Sequence, residues 1–222
     1  MGIFLLLLIL YILGEALSII ALVGEDVTLL YDPKQSTDLT EKPVKWTTNK
    51  TKFDFVHLHR KGPVHFELQN PAYRGRTILS AENLERGIIA LTLIRVRLAD
   101  EGNYTCSLPS LGKVYTIQLL VGAVPPPVIT LEEFHGSSLL LRCESVGWYP
   151  RPQLSWGHSE GPPLPAVTMN TTKGPAGLYS ISSTAVVERS QSCRYTCRVH
   201  QEQINQTRET WIRFPGTSCD VV

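Results

Sequence analysis

The stretch DEGNYTC, Asp100 to Cys106, decides how the rest of the chain is read. In an extended strand alternate side chains share a face, so Tyr104 and Cys106 point the same way. A second stretch repeats the pattern: Tyr195-Thr-Cys-Arg-Val-His200 puts Tyr195, Cys197 and Val199 on one face. Upstream of Cys197, the run Leu139-Leu-Leu-Arg-Cys143 alternates in the same way, and Trp156 falls between the two cysteines. Upstream of Cys106, Trp46 stands in the corresponding place. There the parallel breaks, because Gly24-Glu-Asp-Val-Thr-Leu-Leu-Tyr31 ends in tyrosine where a half-cystine belongs.

Cys–Trp–Cys with a tyrosine two residues ahead of the second cysteine describes an immunoglobulin sandwich. In the second half it predicts a Cys143–Cys197 disulfide tying two sheets, Trp156 packed on it, and the Tyr195 hydroxyl bonded to backbone at the corner. The string from Tyr195 to His200 is of constant type. In the first half, Asp100-x-Gly102-x-Tyr104-x-Cys106 is the signature of a variable-type domain, with Arg76 pairing Asp100 across its base. Val27, Leu29 and Tyr31 share a face, so Tyr31 is expected to point into the core toward Cys106. The domain then folds around a buried Cys106 thiol and is less stable than one carrying the bond, whose removal typically costs about 2–5 kcal/mol. A copy drifting under relaxed constraint is the rival reading.

Strand-length alternating runs fill both halves, at Val27–Tyr31, Val44–Thr48, Phe55–His59, Ile88–Val96, Tyr104–Leu108 and Val114–Val121, and again at Val128–Leu131, Leu139–Cys143, Gln153–Trp156, Tyr179–Val187, Tyr195–His200 and Thr210–Phe214. No stretch beyond the first residues keeps a helical period for three turns. The expected fold is all-β: two tandem immunoglobulin-like sandwiches, variable-type over residues 17–121 and constant-type over 128–215. Residues 122–127, holding three consecutive prolines, form an extended linker, and 216–222 a tail.

Ile3 to Leu13 is an apolar run of leader length, followed by Gly14 and Ala16 at cleavage-site spacing, which predicts a signal peptide over 1–16. No later run is long enough to span a bilayer, so a secreted or truncated product is expected. Sequons at Asn49, Asn103, Asn170 and Asn205 predict N-glycosylation on that route. Of the five cysteines, Cys106, Cys193 and Cys219 are unpaired or uncertain. Cys193 and Cys219 are open to pairing with each other, Cys219 to linking a homodimer, and either to remaining free.

Lys+Arg 21 against Asp+Glu 20 leaves no basic field to gather nucleic acid. No nucleophile elbow, phosphate loop or zinc motif occurs, and His57 and His59 lack a completing ligand. The chain is therefore expected to be no enzyme, with no cofactor, no metal and no small-molecule substrate.

The chain resembles the extracellular region of the butyrophilin and costimulatory-ligand family of the immunoglobulin superfamily, which includes myelin-oligodendrocyte glycoprotein. The likeness rests on Gly24-Glu-Asp-Val-Thr-Leu29, on Val56-His-Leu-His-Arg60 with Gly62, on Gln69-x-Pro71-x-Tyr73-Arg-Gly-Arg-Thr77, and on Glu144-Ser-x-Gly147-Trp-Tyr-Pro150-x-Pro152-Gln153. The resemblance implies a ligand at the external side of the plasma membrane that binds a lymphocyte receptor and regulates T-cell activation and cytokine production. It also implies binding through the exposed face of the variable domain's front sheet. By alternation that face carries Lys45, Thr47, His57, His59, Thr105, Ser107, Thr116 and Gln118. Homophilic adhesion, a soluble decoy and a degenerate family copy are the other roles such an architecture allows.

Overall fold

A computed structural model describes residues 11–13, 16–34, 37–50, 55–60, 68–136, 138–158, 163–188 and 194–214. Cys193, Cys219, the tail and most of the leader stretch lie outside the described residues. The chain divides into two compact units, Met1–Val121 and Gly122–Val222.

The strands of the first unit are β1 (Tyr11–Leu13), β2 (Ala16–Leu22), β3 (Val27–Tyr31), β4 (Val44–Thr48), β5 (His57–His59), β6 (Thr77–Leu79), β7 (Ile89–Leu93), β8 (Gly102–Leu108) and β9 (Lys113–Gly122), with a short helix α1 (Ala81–Glu85) between β6 and β7. They form a six-stranded sheet, β1-β2-β9-β8-β4-β5, over a three-stranded sheet, β3-β7-β6. Cleavage after Ala16 would remove β1 and leave β2 from Leu17 onward. Alternation builds the core: Tyr104, Cys106 and Leu108 from β8, Ile117, Leu119 and Val121 from β9, Trp46 from β4 and Leu29 from β3 are all buried.

Arg76 reaches Asp100 in a two-pronged ion pair, Nη1 to Oδ1 at 3.1 Å and Nη2 to Oδ2 at 2.5 Å. The same guanidinium donates to the carbonyls of Ala72, Ile94 and Arg95, and Asp100 Oδ2 also accepts from Arg97 N–H. A buried ion pair is tolerated only when its donors and acceptors are filled in this way. Tyr104 Oη donates to the Asp100 carbonyl at 2.7 Å, closing a tyrosine corner.

Tyr31 is half-buried at the end of β3 instead of sinking into the core. Its ring stacks on Tyr115, with centroids 3.3 Å apart and planes at 25°. Tyr115 stands directly across from Cys106 on the paired strands β8 and β9. The two aromatic rings thus bridge the three-stranded and six-stranded sheets beside the place where a disulfide is missing. A phenol is too large for a half-cystine's seat, so it packs over the thiol at the rim.

The second unit contains β10 (Val128–His135), β11 (Ser138–Trp148), β12 (Gln153–His158), β13 (Thr168–Lys173), β14 (Tyr179–Glu188), β15 (Arg194–Gln201) and β16 (Gln206–Arg213). A four-stranded sheet, β10-β11-β14-β13, faces a three-stranded sheet, β12-β15-β16. The Cys143–Cys197 disulfide joins them, with Cα atoms 6.4 Å apart. Trp156 pairs with Cys197 across β12 and β15 and donates its indole N–H to Ser183 Oγ at 3.0 Å. Tyr195 Oη donates to the Glu188 carbonyl at 2.6 Å. The Gly-Trp-Tyr-Pro turn follows a register shift between Val146 and Trp148, where Gly147 takes φ 101°, a conformation that suits glycine. That shift sends Trp148 into the core, its Nε1 donating to Ser145 Oγ at 2.7 Å.

Candidate functional site

The outward face of the six-stranded sheet is built by the register of its strands. Lys45 lies opposite Ser107, and Thr47 opposite Thr105. Across β8 and β9, Ser107 lies opposite Val114, Thr105 opposite Thr116, and Asn103 opposite Gln118. Directly opposed residues share a face, so these positions form three rows. The first joins Asn103 and Gln118, the second Thr47, Thr105 and Thr116, the third Lys45, Ser107 and Val114. Six of the eight predicted residues are therefore brought together.

His57 and His59 are not among them, which corrects the alternation argument. His57 pairs with Trp46 and His59 with Val44, and both partners are core residues. Leu58, opposite Lys45, takes the outward place. The parity changes because Trp46 is matched twice: it pairs with His57 and its carbonyl accepts from Val56 N–H at 2.9 Å. Two residues opposite one make a bulge, and one extra residue turns every later side chain to the other face. Both histidines are tied into the fold, His57 Nδ1 to Thr77 Oγ1 at 3.0 Å and His59 Nε2 to the Thr40 carbonyl at 2.8 Å. Burial, and to a smaller degree the neighbouring His59, holds the His57 pKa below its ordinary value. Among the described residues no group of three His, Cys, Asp or Glu side chains gathers as metal ligands.

The face is mostly hydroxyls and two amides, with a cation and two apolar groups at one end. Thr105 Oγ1 and Thr116 Oγ1 are 3.3 Å apart, and Ser18 Oγ donates to Gln118 Oε1 at 3.0 Å. Val114 is 64% exposed, an apolar side chain beside Ser107 at one edge of a row that continues through Lys45 to Leu58. The sequence reading missed Val114 and Leu58. Val114 was legible, since it alternates with Thr116 and Gln118. Leu58 was hidden by the bulge. Among the described residues nothing on this face supplies a nucleophile with its base; they offer shape, hydrogen bonds and the Lys45 charge.

Cys106 lies directly beneath, buried and free. Burial pushes its thiol pKa up to about 12, so it stays protonated and is a poor nucleophile. The sequon asparagines Asn49, Asn103, Asn170 and Asn205 are all exposed.

A sequence profile described as "Butyrophilin subfamily 3 member A2-like, Ig-C domain" matches residues 125–209. Human butyrophilin subfamily 1 member A1 is 28% identical over 93% of the chain, and mouse butyrophilin subfamily 2 member A2 is 30% identical over 92%. These likenesses support the butyrophilin family of the immunoglobulin superfamily. The chain spans 40% of the length of each of these two relatives. Among solved structures, bovine butyrophilin superposes with a TM-score of 0.70 over 89% of the chain and 94% of its own, at 24% identity. That likeness shows the fold. A chain of the crystal structure of ICOS in complex with ICOS-L and an anti ICOS-L VNAR domain superposes with a TM-score of 0.61 at 25% identity, over 88% of this chain and 98% of that one. The chain thus shares the tandem immunoglobulin-like fold of these two structures. Among its described residues no helix is long and apolar enough to cross a membrane.

Proposed function

We propose that this butyrophilin-like chain is a non-enzymatic ligand that binds a lymphocyte receptor at the external side of the plasma membrane and regulates T-cell activation and cytokine production. The observation that supports it most is the third row of the front sheet: exposed Val114, then Ser107, Lys45 and Leu58, carried on four paired strands. A row that sets Ser107 and Lys45 between two flanking apolar side chains, Val114 on β9 and Leu58 on β5, suits a protein partner better than a small molecule, because it is flat and open. The butyrophilin relatives and the likeness to a chain of the ICOS and ICOS-L complex point to an immune receptor as that partner.

The reading is tested by adding the secreted, labelled two-domain protein to resting and activated T cells, with cell binding and cytokine release as readouts. Val114→Arg is expected to weaken binding at least about tenfold, equivalent to about 1.4 kcal/mol. Binding that is absent, or unchanged by Val114→Arg and Lys45→Glu together, overturns it. Sedimentation at tens of micromolar separates the adhesion reading, which requires self-association through the same face.

A further inference from the structure

Two of the four sequons meet at one corner of the front sheet. Asn49 N–H donates to the Asn103 carbonyl at 3.2 Å, and Asn103 N–H donates to Asn49 Oδ1 at 3.2 Å. The neighbouring Gly102 makes room for this: a Cβ there would stand 3.1 Å from Asn49 Oδ1. Asn103 is exposed and outward on β8, in the row of Gln118. The bond that ties Asn49 down uses its carboxamide oxygen. An N-linked sugar occupies the nitrogen, so modification of Asn49 leaves that bond intact.

We propose that N-linked glycans on Asn49 and Asn103 act together as a carbohydrate cover over the Gln118 end of the front sheet, leaving the Leu58, Lys45, Ser107 and Val114 row as bare protein. In each transfer the asparagine Nδ2 bonds to the anomeric carbon of an oligosaccharide carried on a lipid pyrophosphate. The lipid pyrophosphate departs and the amide gives up one proton. Two bulky, solubilising groups rooted at adjoining positions fill the solvent above the first row and the Thr105–Thr116 row beside it. Ser107 lies four residues along the strand from Asn103, roughly 13 Å at about 3.3 Å per residue. The bare row is therefore the part of the sheet a protein can reach in contact. It is also the apolar end, whereas the covered end is hydroxyl and amide, groups that lose little by facing sugar and water. The consequence for docking rests on the receptor-ligand reading; the cover itself does not.

The test uses the full chain secreted from a mammalian host. Enzymatic release of N-glycans in oxygen-18 water marks each occupied asparagine as labelled aspartate, and both Asn49 and Asn103 are expected to carry the mark. Accessibility is then read with a bulky polyethylene-glycol maleimide on Gln118→Cys and Val114→Cys, in the glycosylated protein and in Asn49→Gln/Asn103→Gln, with peptide-level mass spectrometry. Labelling at 118 is expected to run several-fold slower with the glycans present, and labelling at 114 to be unchanged. Thr116→Cys serves in place of position 118 where loss of the Ser18 bond impairs secretion. An unoccupied Asn49 or Asn103, or equal slowing at 114 and 118, overturns the proposal. None of these readouts involves a receptor. Failure here with T-cell binding retained leaves the ligand reading standing, and a confirmed cover without binding removes that reading alone.

Discussion

The two units solve the same packing problem with different parts. In the second, the intersheet link is covalent: Cys143–Cys197, with Trp156 beside it and the indole N–H satisfied by Ser183, whose own hydroxyl donates to the Thr168 carbonyl. In the first, Cys106 is alone, Trp46 occupies the equivalent cross-strand place, and its indole N–H is buried without a partner among the described residues. The bridge between sheets is the Tyr31–Tyr115 stack. A disulfide limits the unfolded chain whatever the native packing does, whereas a stack contributes only while the native geometry holds. The first unit carries the candidate docking face, so the less firmly tied sandwich supports the face on which the proposed function depends. Its remaining anchor is the filled Arg76–Asp100 network at the other end.

That contrast can be broken from either side. Replacing Cys143 and Cys197 together by alanine is expected to cost the second unit about 2–5 kcal/mol. Amide exchange in β11 and β15 should rise while β4 and β8 keep their protection; a matching loss in the first unit would show that the two do not unfold separately. The opposite change, Tyr31→Cys, is expected to form a bond with Cys106 and raise the first unit's stability by about 2–4 kcal/mol, less any strain the bond imposes. The Cys106 thiol then disappears from titration and the urea midpoint of β4 and β8 moves up. A thiol that persists in Tyr31→Cys would mean that β3 is placed for the aromatic stack and not for a disulfide.

Much of this was legible in the sequence because alternation is a local signal. The strands Val27–Tyr31 and Val44–Thr48 have the bounds that their pattern implies, and the immunoglobulin fold followed from the Trp–Cys spacing. The Arg76–Asp100 pair was also visible, since the variable-type signature fixes both ends. What stayed hidden depends on pairing between strands. At the bulge the Trp46 carbonyl accepts from Val56 N–H while Trp46 pairs with His57, and no property of His57 or His59 announces it. Strand β6 is three residues long and β13 is polar, so their alternation did not rise above the loops around them, and the apolar run of β2 follows so soon on the leader stretch that it did not stand out as a strand. Tyr115 as the partner of Tyr31 required the register of β8 on β9, which places it across from Cys106.

The smallest effect separates the two units by chemistry instead of by force. Cys143 and Cys197 are disulfide-bonded and have no thiol to titrate, whereas Cys106 does. Burial raises its pKa from 9.0 to about 12. A raised acid pKa means the folded state holds the proton longer than the unfolded one, so its contribution is fully present below pH 9 and is lost as pH climbs toward 12. In that window stability falls by roughly 1.4 kcal/mol for each pH unit. Tyr31, Tyr73 and Tyr104 are also raised, mainly by burial, from an ordinary value of 10.0, so they add to the slope only above that pH. Urea unfolding of the first unit between pH 8.5 and 10, followed by amide protection in β4 and β8, is therefore expected to show an alkaline decline that Cys106→Ala largely removes and that Tyr31→Cys, having consumed the thiol, removes as well. The decline surviving intact in Cys106→Ala would assign it to the tyrosines, and the buried thiol would then be a passive filler of the seat a disulfide left empty.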